Sequence, residues 1–82
     1  MDTNLLNRTL SEISHIIRAD WRNVNYAAEP YLAAMSALGH IDDPYGFDSG
    51  RSIVLYFLSN AQTWRGETAK AVKAELKRRA KY

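Results

Sequence analysis

His40, Asp42, Asp43 and Asp48 crowd into one short segment, His-Ile-Asp-Asp-Pro-Tyr-Gly-Phe-Asp, where an oxygen-rich cation site is the chemistry to test first. The spacing opposes it. Pro44 and Gly46 stand where an EF-hand-type loop would place ligands, and no glutamate follows at the bidentate position. The residues read instead as turn formers and helix caps, and no metal is expected. His15 has Ser11, Glu12 and Arg18 as helical neighbours, and a histidine beside a carboxylate can act as a base. Without a nucleophile or a substrate pocket, a solvated surface histidine is the expectation. Ser49, between Asp48 and Gly50, is neither a nucleophile elbow nor part of a phosphate-binding loop, and it reads as a cap. The chain is therefore expected to be non-enzymatic, with no catalytic residue, no cofactor and no small-molecule substrate.

Two other sets of residues suggest binding. Lys70, Lys73, Lys77 and Lys81 recur at steps of three, four and four, which aligns them along one side of a helix. With Arg78 they form a set of candidate phosphate contacts, and such a stripe can follow a nucleic-acid backbone in a salt-sensitive way. No helix-turn-helix, RNA-binding aromatic motif or zinc finger accompanies it, so the same stripe serves equally as a solvated face. The second set is aromatic: Trp21, Tyr26, Tyr31, Tyr45, Phe47, Tyr56, Phe57 and Trp64 cluster around the expected helix junctions. Most must form core, yet Trp and Tyr are also favoured anchors of protein interfaces. Tyr45 and Phe47 in the turn-rich segment 41–50, together with Trp64 and Arg65 before Gly66, are the expected partner contacts.

The elements that would carry these residues are helices. Leu6, Leu10, Ile13 and Ile17, flanked by Leu5 and Ile16, give one apolar stripe over residues 4–20, with Thr3 or Asn4 as the cap. Pro30 near a first turn and Gly39 after a last turn bracket a second helix over 28–38, whose apolar face is Tyr31, Leu32, Met35 and Leu38. Segment 41–50 reads as a loop. Ile53 to Leu58 is apolar throughout, and by propensity it suits a strand as well as a helix. No other segment is patterned to pair with a strand, so a buried central helix over 49–61, capped by Asp48 or Ser49, is expected. Ala69, Val72, Leu76 and Ala80 mark a last helix over 64–80 capped by Thr63, in which Glu75 can pair with Arg78 or Arg79. The fold class is all-α: one domain over residues 1–82, a four-helix bundle packed around its third helix.

Composition agrees with a folded chain. The 82 residues are 46% hydrophobic and 24% charged, with no cysteine, so neither disulfides nor thiolate metal sites brace a domain this small. Seven of the nine acidic residues precede position 65 and seven of the eleven basic ones lie within 65–82, which places a positive tail on a slightly negative body. The longest apolar run is six residues, against about 20 for a membrane span. Met1-Asp2-Thr3-Asn4 lacks the basic-then-apolar order of a secretory signal, and a cytoplasmic protein without membrane contact is expected.

The blocks Asp20-Trp21-Arg22-Asn23, Pro30-Tyr31-Leu32-Ala33-Ala34-Met35 and Asp48 to Glu67 resemble a group of small bacterial proteins, chiefly actinobacterial, and their phage and mobile-element counterparts. The resemblance covers roughly residues 18–77 and carries no catalytic residues. It implies an accessory protein that binds a host or phage macromolecule. The leading expectation is thus a small interaction module with a protein partner or a second copy of itself, and the alternative is a nucleic-acid-binding protein using the last helix.

Overall fold

The computed structural model describes residues 5–81, which form a single 3₁₀ turn, four α-helices and one two-stranded hairpin. In chain order these are the turn Leu5–Asn7, α1 Leu10–Asp20, α2 Glu29–Met35, β1 Pro44–Tyr45, β2 Asp48–Ser49, α3 Gly50–Ser59 and α4 Glu67–Ala80. The chain is mostly helical, but the expected all-α class is corrected by the small sheet, with Pro44 opposite Ser49 and Tyr45 opposite Asp48. Its Cα radius of gyration, 11.4 Å, matches the value of about 12 Å for a packed globule of this length.

α1 starts later than the apolar stripe suggests. Thr9 is its cap: its hydroxyl accepts from the Glu12 amide at 3.0 Å, and the Glu12 carboxylate accepts from the Thr9 amide at 2.9 Å. The next amides are also satisfied, Leu10 donating to the Gly39 carbonyl and Ser11 to that of Leu38, so the helix start is stitched to the end of the α2 segment. Thr3 and Asn4, the expected caps, lie outside the described residues. The break at Arg8 and Thr9 also changes the helical phase, which buries Leu5 and leaves Leu6 at 67% exposure.

α2 is shorter than expected because its last turn tightens, with Ser36, Ala37 and Leu38 donating back to the carbonyls of Ala33, Ala34 and Met35. Gly39 does not take the expected left-handed conformation. Asp43 closes this corner instead, its Oδ2 accepting from the amides of Gly39 at 3.0 Å and His40 at 2.9 Å.

α3 begins at Gly50, capped by the Ser49 hydroxyl on the Ser52 amide. Ile53, Val54 and Phe57 are buried, but Tyr56 and Ser59 face outward. α3 is therefore not encircled. It packs on α2 and α4, and α1 packs on the same two helices, so the four form a ring around a shared core in place of the expected bundle around the third. α4 starts at Glu67, after a non-helical Trp64-Arg65-Gly66 stretch, and its cap is Gly66 at φ 115°, not Thr63. Its stripe Ala69, Val72, Leu76 and Ala80 is buried as expected.

Gly50 is held by space, not by conformation. A Cβ at this position would lie 2.7 Å from the Ile41 carbonyl oxygen and 2.8 Å from that of His40. Backbone, not a flexible side chain, is in the way. Gly50→Ala is expected to cost about 2 kcal/mol in urea unfolding and to shift the hairpin amides, whereas Gly46→Ala, strained only by its φ of 61°, costs about 1 kcal/mol. Comparing the two midpoints checks the order.

Candidate interaction site

The hairpin is built to present its tip. Its two-residue loop is Gly46-Phe47, with Gly46 at φ 61° and Phe47 at negative φ, the arrangement that lets a tight turn match the twist of its strands. Below the loop, the Gly50 amide donates to the Asp43 carbonyl at 2.7 Å, and buried Ile41 fastens the incoming chain to the core. The Phe47 ring packs against nothing: its exposure is 111% of the reference value, and Tyr45 beside it is 41% exposed. An apolar ring held in water on a braced turn is exposed against its own hydration, and no contact within the described residues uses it.

The other expected partner contacts divide. Arg65 is exposed, but Trp64 is 2% exposed and belongs to the core. Its ring stacks on Trp21 at 5.8 Å, and its indole N–H donates to Asp20 at 2.8 Å. It offers no ring to a partner. Tyr26, outside the expected partner contacts, stands 94% exposed beside Ala27, Pro30 and Ala33 at the start of α2. Asn25 places it there, its side chain accepting from the Ala27 amide to form the turn that leads into the helix.

The expected phosphate stripe is not uniform either. Lys70, Lys77 and Lys81 are exposed on α4. Lys73 folds back, donating to the Trp64 carbonyl at 2.6 Å with its ammonium 5.9 Å from the centre of the Trp64 ring. Burial, then the charges of Lys77 and Arg65, lower its pKa from the usual lysine value. It is a structural cation. Arg78 donates twice to Glu75, at 3.0 and 2.6 Å, and Arg79 donates to the same carboxylate at 2.6 Å. Glu75 thus takes both of its candidate partners at once. The Arg78 hydrogen bonds, followed by those of Arg79, hold its carboxyl below the usual carboxylate range against the opposing effect of burial.

His40, Asp43 and Ser49 are tied to the backbone. His40 Nδ1 accepts from the Asp42 amide at 3.1 Å, Asp43 closes the corner after α2, and Ser49 caps α3. The amides of His40 and Gly39 lower the Asp43 pKa. His15 is exposed on α1. Among the described residues no group of three histidines or carboxylates is placed to hold a metal ion, and no helix is long and apolar enough to cross a membrane.

Comparison with protein-family models, with curated proteins and with solved structures finds no match to this chain.

Glu75 gives a pH test. Because its folded pKa is lowered, its stabilising effect is present above the unfolded value of about 4.3 and is lost as pH falls through the folded value. Glu75→Gln should be less stable than wild type by about 2 kcal/mol at pH 7, and the difference should shrink as pH falls below about 4.3 toward the lowered folded value. Urea midpoints followed by tryptophan fluorescence read this directly. A gap independent of pH would mean that the carboxylate charge is not what holds Arg78 and Arg79.

Proposed function

We propose that this chain is a non-enzymatic interaction module that docks on a protein through the hairpin tip, with Phe47 as the anchor and Tyr45 as its neighbour. The observation that carries the reading is the full exposure of Phe47 on a turn fastened at its base by the Gly50–Asp43 hydrogen bond. A ring that is already positioned loses little conformational freedom on docking, which is how a small contact reaches useful affinity. His40, Asp43 and Ser49 are committed to turns and caps, which favours binding over chemistry. The resemblance to accessory proteins of actinobacterial phages and mobile elements supports the same role, with a host or phage protein, or a second copy of the chain, as the partner. We place the protein in the cytoplasm within this reading, since so small a chain without cysteine lacks the disulfide bracing usual in secreted domains of its size. The nucleic-acid alternative loses its regular stripe, because Lys73 is turned onto Trp64 and Arg78 is shared with Glu75.

A photo-crosslinking phenylalanine analogue at position 47, with the same analogue at exposed Gln62 as control, tests the reading in cells that make the full chain. A discrete adduct from position 47 alone, to one protein or to a second copy, is expected. Adducts of equal yield from both positions, or none from position 47, would overturn it.

A further inference from the structure

At the base of the hairpin, away from its tip, lies an open groove of about 540 Å³ lined by Arg8, Arg51, Arg78, Arg79 and Lys81 and, among the described residues, by one carboxylate, Asp42. These cations come from three separate parts of the chain. The groove is therefore a product of folding and not a local charge run. We propose that it binds the phosphoanion of a small molecule, with two adjacent phosphate groups as the preferred form.

Two of the guanidinium groups are held in place before any ligand arrives. Arg51 donates to the Ala80 carbonyl at 2.9 Å and to Asp42 at 3.1 Å, which ties the hairpin segment to the end of α4. Arg79, only 13% exposed at its side chain, is fixed by Glu75 and by the Leu5 carbonyl. A positioned guanidinium presents donors in a planar fork that matches phosphate oxygens and gives up little entropy on binding. Arg78, 60% exposed at its side chain, and Lys81, exposed on the last turn, supply the adaptable donors. The start of α1 also borders the groove through Thr9. Its Leu10 and Ser11 amides are already bonded, so it adds the field of a helix amino end without those two donors.

The negative groups present explain the preference for a multiply charged ligand. Asp42 competes for Arg51, Glu75 neutralises part of Arg78 and Arg79 from behind, and the carboxyl end of α4 closes at the same place. A singly charged anion gains little against them. In this proposal a pyrophosphate group takes donors from Arg51, Arg78 and Lys81 together and competes with Asp42 for Arg51.

Titration of the isotope-labelled full chain with inorganic pyrophosphate, followed by amide chemical shifts at constant ionic strength, tests the proposal. Shifts confined to residues 6–8, 39–42, 51 and 78–81 are expected. Arg78→Gln/Lys81→Gln should weaken binding at least about fivefold, and Lys81→Gln alone, at an exposed position, should weaken it measurably with the spectrum otherwise unchanged. Arg65→Gln/Lys70→Gln removes the same charge outside the groove and should change affinity less than about twofold. Equal weakening in the two double variants, or no saturable shifts, would overturn the groove as a site. So would an eight-nucleotide single strand that binds more tightly than pyrophosphate and shifts α4 along its length, because the anion would then be following the whole basic helix.

Discussion

Trp64 lies face to face with Trp21 at 5.8 Å, with an interplanar angle of 10°, and edge-on to Phe57 at 6.5 Å. Trp21 follows α1, Phe57 is in α3 and Trp64 leads into α4, so one aromatic contact joins three of the four helices. With no disulfide and so short a chain, large rings are the most effective way to bury area per residue ordered. Other features follow from that contact. The chain leaves the helical path through Trp64-Arg65-Gly66 where the indole turns inward, α4 begins only at Glu67, and Gly66 takes φ 115°. Asp20 at the end of α1 accepts the indole N–H, and Lys73 from the second turn of α4 covers the ring and its carbonyl. No buried side-chain polar atom among the described residues is left without a hydrogen bond.

The same economy explains the surface. Once Trp21, Phe57 and Trp64 fill the centre, the remaining rings are graded outward: Tyr31 and Tyr56 cover each other at 5.2 Å on the α2 and α3 side, while Tyr26 and Phe47 are left in water. The charges divide in a similar way. Lys73, Arg51 and Arg79 each donate to a backbone carbonyl that a helix end or turn would otherwise leave open, and Lys70, Lys77 and Lys81 face outward.

Local pattern accounts for much of this. The 3.6-residue repeat of Ala69, Val72, Leu76 and Ala80 is what buries α4, and Glu75 meets both arginines because three and four residues along a helix share a face. The capping box Thr9-Leu10-Ser11-Glu12 was equally open to reading, but Leu6 continues the stripe in phase and hides the break. Turn formers around Tyr45 and Phe47 were enough to expect their exposure. The two-residue strands were not legible, since pairs so short carry no alternation. Burial of Trp64 and the inward turn of Lys73 depend on partners 44 and nine residues away, respectively, and no local signal marks them. The arginine groove is hidden for the same reason: residues 8, 51 and 78–81 meet only after folding.

The central claim is that the aromatic residues divide into a clamp the fold cannot spare and a tip it does not use. Urea unfolding of Trp64→Phe beside Phe47→Ser, followed by far-ultraviolet circular dichroism, tests it most directly. Trp64→Phe should cost about 2–3 kcal/mol through lost contacts with Trp21 and a lost indole hydrogen bond, while Phe47→Ser stays within about 0.5 kcal/mol of wild type. The opposite order, with Phe47→Ser the more damaging, would show that the hairpin tip is part of the core and would contradict the account.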